Sequence, residues 1–281
     1  MKTSMSVATE PTVVIQPSRG LFHLDLNAVW QYRELLYFLV WRDLKVRYKQ
    51  TALGVAWAIL QPLMTMVIFS VIFGTFARIP SDGLPYPIFA YTALLPWTYF
   101  SQAMGLCSRS IVSNSGLITK VYFPRLIIPL SSTMIPAVDM CISFVPLLGL
   151  MMWFGITPTR GVLALPLFLL LALMTALSVG LWLSPANVKY RDVAYTLPFL
   201  TQFWMYASPV VYPVSLVPER WRWLYSLNPM VGVIEGFRWA LLGKASPDFR
   251  AMAVSSVVVL ALLVGGIVYF KRMERTFADV V

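Results

Sequence analysis

Six long stretches of this chain contain no Asp, Glu, Lys or Arg: Thr51–Ala77, Gly83–Ser108, Met140–Thr159, Gly161–Val188, Val193–Pro218 and Ala251–Phe270. At about 1.5 Å of rise per residue, roughly 20 apolar residues cross a hydrocarbon core of about 30 Å. Each stretch is long enough to span, and 281 residues cannot hide six such helices in one water-soluble core. The chain reads as an all-α integral membrane protein. Transmembrane β-barrel strands alternate apolar and polar positions over about ten residues, whereas these runs are continuous and about twice as long. A helix also satisfies its own backbone hydrogen bonds, as hydrocarbon requires.

Composition agrees, with 58% hydrophobic and 12% charged residues. The net charge of +10 is spread along the flanks of the spans, which argues against nucleic acid as a partner. Cys107 and Cys141 fall inside apolar runs and read as small buried hydrophobes. His23 stands alone, so no histidine metal site is expected. No cleavable signal is evident, because the first long apolar run begins only at Thr51.

Residues 1–26 read as a flexible tail, 27–49 as an amphipathic interfacial helix and 50–281 as the transmembrane domain. In the second segment Val29, Tyr32, Leu36, Val40 and Leu44 share one helical side, while Glu34, Arg42 and Lys45 share the other. Arg33 and Arg47 interrupt the apolar stripe. Such a helix suits the membrane surface better than the bilayer centre. Six spans are expected at about 52–77, 86–109, 127–155, 161–183, 194–212 and 251–270. The side holding both termini then carries 15 of the 22 Lys and Arg, and the positive-inside rule makes that side cytoplasmic.

Between the last two spans, Asn228-Pro229 is a helix start and Gly243 a stop. Glu235 and Arg238 sit three residues apart, within pairing distance. A pair of short helices entering the outer leaflet and returning fits this segment, a shape tolerated where protein or a water-filled path surrounds it.

The chain has no G-x-x-x-x-G-K-[ST] phosphate loop, no H-E-x-x-H, no Cys cluster and no G-x-S-x-G. No catalytic residues and no metal site are expected. Asp139 lies near the middle of the third span, where a charge costs about 2.5–3.5 kcal/mol. Either it makes a polar contact along a conduit or serves a proton relay, or it is protonated or hydrogen-bonded to a neighbouring helix. Phe69, Phe73 and Phe76 fall on one face of an ideal helix. Tyr195, Phe199, Phe203 and Tyr206 make a second stripe, with Gln202 beside it. Aromatic faces of this kind attract the weakly positive C–H faces of sugar rings. These residues, with Asp139, form the candidate conduit.

Several blocks resemble type-2 ABC exporter permeases of the branch that handles O-antigen, teichoic acid, capsule and related surface polysaccharides. The first is Trp41-Arg42-Asp43-Leu44-Lys45-Val46-Arg47-Tyr48-Lys49-Gln50-Thr51, continuing through Leu53-Gly54 to Trp57-Ala58-Ile59-Leu60-Gln61-Pro62. The second is Lys189-Tyr190-Arg191-Asp192-Val193 with Ser208-Pro209-Val210-Val211-Tyr212-Pro213. The third runs from Asn228-Pro229-Met230 to Glu235-Gly236-Phe237-Arg238.

The resemblance implies a six-span, non-catalytic permease in a bacterial inner membrane, working as a homodimer with two copies of a separate ATPase. ATP and Mg would be bound by that partner, with no cofactor in this chain. The substrate implied is a polyprenyl-diphosphate-linked glycan. Arg33, Arg42, Lys45, Arg47 and Lys49 are candidates for contact with its diphosphate or with the membrane surface. Leu117, Lys120, Tyr122 and Phe123 are candidates for contact with the ATPase. Asn228, Glu235 and Arg238 are candidates for an outer gate. The alternatives are an exporter of drugs or small lipids and an ion-coupled carrier.

Overall fold

The structure is a computed structural model that describes residues 26–49, 54–243, 248–274 and 277. Residues 1–25 of the expected tail over 1–26, with His23 among them, residues 50–53 of the first signature block, Lys244 and Arg275 lie outside the described residues. No strand occurs among the described residues.

Two helices, α1 (Leu26–Gln31) and α2 (Arg33–Lys49), open the described chain. The expected single helix over 27–49 is therefore interrupted at Tyr32. Leu39 of α2 is buried, and Val29, Tyr32, Leu35 and Leu36 pack around the same cluster. Trp30, Tyr37, Phe38 and Trp41 remain exposed on the opposite side. The helix thus has an apolar face and an aromatic one. Trp and Tyr placed this way suit the headgroup layer of a membrane.

Next come α3 (Ala56–Phe69), α4 (Tyr86–Ser113), the single turn α5 (Ser115–Ile118), α6 (Ile127–Trp153) and α7 (Leu165–Lys189). They are followed by α8 (Val193–Tyr206), α9 (Glu219–Tyr225), α10 (Pro229–Leu242) and α11 (Phe249–Glu274). Helix α3 continues as a π-helical stretch, Ser70–Phe76.

Among the described residues four segments are long and apolar enough to cross a membrane: Ala56–Phe76, Ile127–Trp153, Arg160–Lys189 and Phe249–Glu274. That is coarser than the six expected spans. Helix α4 has 28 residues, about 42 Å of rise, but carries many hydroxyl and amide side chains. It can afford them because α3, α6, α7, α8 and α10 pack around it. Most of its residues from Tyr86 to Phe100 are buried. Helix α8 has only 14 residues, about 21 Å, short of a full crossing.

Beyond α8 the chain turns back into the protein. Val210 and Val211 are buried, and their carbonyls accept hydrogen bonds from Arg238 Nη2 at 3.1 Å and Tyr86 Oη at 2.7 Å. Irregular backbone in a membrane protein needs such internal donors. Helix α10 starts where the sequence indicated: the Asn228 side chain accepts from the Met230 amide at 3.1 Å. It ends at Gly243 with φ of 66°, a left-handed cap that glycine adopts without steric cost. Nearly all of α10 is buried against α4, α7 and α11.

Two apolar clusters organise the bundle. The larger surrounds α4 and includes α10 and parts of α6 and α7. The smaller lies at the far end of α4 and gathers Leu39, Ile111, Ile118, Phe123, Ile127, Val188, Phe270 and Phe277. Close approach of α4 and α7 depends on Gly180, where a Cβ would sit 2.4 Å from Cys107 Sγ. Small residues serve this purpose between membrane helices. Cys107 is buried as expected, but Cys141 is exposed, on the outward side of α6.

Candidate substrate trough and its ion-paired wall

An open trough of about 690 Å³ runs between α4 and α8, in the half of the bundle that carries the α4–α6 connection. Trp97, Ser101, Gln102, Gly105, Leu106 and Arg109 of α4 form one side, at spacings that keep them on one helix face. Leu197, Pro198, Thr201, Gln202 and Met205 of α8 form the other, and Gln61 of α3 and Arg47 of α2 complete it. The volume falls in the range of small-molecule sites. Arginine and glutamine side chains gathered on one surface, here Arg47, Arg109, Gln61, Gln102 and Gln202, are unusual in a bundle of apolar helices, and polar groups at membrane depth mark substrate paths.

The wall of the trough is built on Asp139. Arg47 Nη2 lies 2.5 Å from Asp139 Oδ2 and donates to Gln102 Oε1 at 2.9 Å. Tyr48 donates its hydroxyl to Asp139 Oδ1. Burial, reinforced by the Asp139 hydrogen bond and charge, pushes the Tyr48 phenol well above its ordinary value, so it remains a proton donor. The Asp139 side chain is 9% exposed and that of Arg47 36%. The carboxylate therefore sits behind the wall and the guanidinium sits in it. Asp139 is thus hydrogen-bonded and ion-paired to a neighbouring helix. The neutralising group is a cation from α2, whose last turn reaches the midpoint of α6. Helix α2 is thus packed along α6, not simply laid on a surface.

The other end of α2 is tied to the α4–α6 connection. Arg42 Nη2 donates to Asn114 Oδ1 at 3.0 Å, and Leu39 enters the smaller apolar cluster with Phe123 and Ile118. In that connection Lys120 and Tyr122 are exposed, Leu117 is half-buried and Phe123 is buried. Lys120 and Tyr122 are free to meet a partner, whereas Phe123 roots the loop. Arg33, Lys45 and Lys49 are exposed on α2, away from the trough.

The two aromatic stripes part company. Phe69 and Phe73 stay on one face, with ring centroids 5.5 Å apart against the larger cluster, while Phe76 is 78% exposed and leaves it. The π-helical stretch begins at Ser70, and i→i+5 winding rotates each residue by less than an α-helix does. Tyr195, Phe199, Phe203 and Tyr206 do form a continuous exposed stripe, with Phe199 and Phe203 centroids 4.5 Å apart. That stripe faces outward from α8, whereas Gln202 lines the trough.

At the opposite end, Arg238 donates to Glu235 Oε1 at 3.0 Å and stacks 3.6 Å from the centroid of Phe89. Asn228 accepts from Trp204 Nε1 at 2.9 Å and donates to the Ala207 carbonyl and Ser208 Oγ. Glu235 also lines a cavity of about 280 Å³ with Asp82, Ser215, Arg222 and Asp248. Sequence reasoning missed Gln61, Ser101, Gln102, Arg109 and Thr201. The polar spacing of α4 at 98, 101, 102 and 109 was the available signal there. Among the described residues no three His, Cys, Asp or Glu side chains come together as a metal site.

The pattern common to ABC-2 type transporters matches residues 34–242. The chain belongs to the ABC-2 type transporter family. It is 30% identical over 257 residues to the O-antigen export system permease protein RfbA of Myxococcus xanthus, covering 90% of this chain and 98% of that one. A Klebsiella pneumoniae protein of the same name is 26% identical, covering 88% and 95%. The polysialic acid transport protein KpsM of Escherichia coli is 26% identical, covering 83% and 91%. The family match takes in α2, the trough and α10 together.

Proposed function

We propose that this chain is the permease subunit of an ATP-driven exporter that carries a lipid-linked surface polysaccharide out of the bacterial cytoplasm. The observation that carries this reading is the cationic, amide-lined trough between α4 and α8, in a chain similar over most of its length to polysaccharide export permeases. Drug export and ion-coupled transport draw no support from those relatives.

In this reading α4, and α8 with the buried turn after it, complete six spans with the four apolar ones. The basic residues put both termini in the cytoplasm, so the trough opens from that side. Arg47 and Arg109 meet the polyprenyl diphosphate, because guanidinium forks match phosphate oxygens. Gln61, Gln102 and Gln202 meet the first sugar hydroxyls. The outward stripe on α8 faces a second copy of the permease and gives the glycan a slippery aromatic surface. Arg33, Lys45 and Lys49 hold α2 to anionic headgroups, each worth about 1 kcal/mol.

A separate ATPase, two copies per permease dimer, docks at Lys120 and Tyr122 and binds ATP and Mg. Its motion passes through the loop to Leu39 and Arg42, along α2, and reaches the trough at Arg47 and Tyr48. At the outer mouth α9 and α10 form the re-entrant pair, and Asn228, Glu235 and Arg238 hold the turn that gates exit. The test is export by the reconstituted permease with its ATPase. Arg109→Gln is expected to reduce transport of a polyprenyl-diphosphate glycan by about tenfold at unchanged yield; undiminished transport would overturn the reading.

A further inference from the structure

Arg47 is shared between two surroundings. Its guanidinium lines the trough, yet it is held there by Asp139, which does not line the trough and lies behind the wall in a gap with Gln61 and Gln102. We infer that Asp139 is a positioning residue whose carboxylate holds Arg47 until a diphosphate in the trough takes its place, so that substrate arrival releases one of the two ties between α2 and Asp139 of α6. This rests on the diphosphate reading of the trough given above.

Three features support an exchangeable latch in preference to a purely structural pair. First, the pair is asymmetric: the carboxylate is 9% exposed and the guanidinium 36%, so an incoming anion has access to Arg47 and not to Asp139. Second, a buried carboxylate abandoned by its cation is costly, but here Tyr48 donates to the other carboxylate oxygen and stays behind on Asp139. Third, Gln102 receives Arg47 at 2.9 Å and offers a neutral foothold while the charge partner changes. Arg47 and Tyr48 are neighbours at the last turn of α2, so moving one partner from Asp139 to substrate changes how α2 grips α6. The same α2 carries Arg42 and Leu39, bound at the loop. Occupancy of the trough and the position of the loop are thereby linked.

The exchange predicts opposite effects from two small changes. Asp139→Asn keeps an oxygen for Tyr48 but removes the charge that competes for Arg47. Tyr48→Phe leaves the Asp139 charge unshared, so it grips Arg47 harder. The permease with its ATPase subunit is set in lipid nanodiscs and titrated with a fluorescent polyprenyl diphosphate, with inorganic pyrophosphate and phosphate-free polyprenol in parallel. Asp139→Asn is expected to bind polyprenyl diphosphate about tenfold more tightly while export slows, and Tyr48→Phe to bind it about threefold more weakly. Asp139→Glu restores the native affinity. Polyprenol binding is unmoved in all variants.

A gain confined to the lipid assigns the ligand to a lipid headgroup, and an equal gain with pyrophosphate assigns it to the diphosphate alone; either supports the exchange. Equal or weaker binding in Asp139→Asn, or shifts of the same sign in both variants, overturns it. Should Asp139→Asn not fold, the direction of the Tyr48→Phe shift decides. Arg47→Gln separates the two readings: if it leaves diphosphate binding unchanged, the diphosphate assignment itself fails. If it weakens binding while the two variants show no opposed shifts, only the exchange fails.

Discussion

At the scale of single residues, the most constrained side chain outside the trough is Asn228. Its amide accepts from Trp204 and the Met230 backbone and donates to the Ala207 carbonyl and Ser208 Oγ, joining the end of α8 to the start of α10. Asn228→Ala removes the helix cap and leaves the Trp204 indole N–H without its acceptor. The expected cost is about 2–4 kcal/mol, read as a lower melting temperature of the purified complex. Asn228→Asp keeps both accepted bonds and is expected to lose roughly half as much. The paired Glu235 and Arg238 differ from surface pairs, because Arg238 is 3% exposed and also holds the Val210 carbonyl. Arg238→Met therefore destabilises more than Glu235→Gln, by about 3 kcal/mol or more, in the same melting experiment.

At the scale of elements, α2 is the piece whose role depends on both of its ends. Leu39→Ala empties a site in the smaller apolar cluster and is expected to cost about 2–5 kcal/mol locally. Hydrogen exchange in α2 and in the 114–126 connection should rise together, while α10 stays protected. Tyr122→Ala is a contrasting change. Tyr122 is 68% exposed, so melting should shift by less than about 0.5 kcal/mol, while co-purification of the ATPase subunit falls. The α4–α7 pair makes a third element-scale case. Gly180→Val places a Cβ only 2.4 Å from Cys107 Sγ, well inside van der Waals contact, and overpacking of this kind costs about 1–3 kcal/mol or more, visible as reduced yield of folded permease.

At the scale of the whole molecule, the outward stripe Tyr195, Phe199, Phe203 and Tyr206 is exposed within one chain. Alanine at Phe199 or Phe203 should slow glycan export several-fold without changing melting, because neither ring is buried in the protomer; unchanged flux in proteoliposomes would exclude the stripe from the path. If the proposed division of labour holds, nucleotide turnover is expected only when the ATPase subunit is added, and turnover by the purified permease alone would overturn it.

What could be read from the sequence was whatever depends on local run length and local caps. Charge-free runs fixed the membrane class, and Asn228, Pro229 and Gly243 fixed the bounds of α10 through bonds made within a few residues. The spacing of Glu235 and Arg238 foretold their pair for the same reason. Tertiary structure alone decided which polar residues face one another. Asp139 and Tyr48 are 91 positions apart and Arg47 and Gln102 are 55, so no periodicity could join them. The winding of Ser70–Phe76 turned Phe76 away from Phe69 and Phe73, with which an ideal helix would have aligned it. Hydrophobicity along a chain tells each helix that it belongs in lipid, but a buried charge must find its partner wherever the packing brings one within reach.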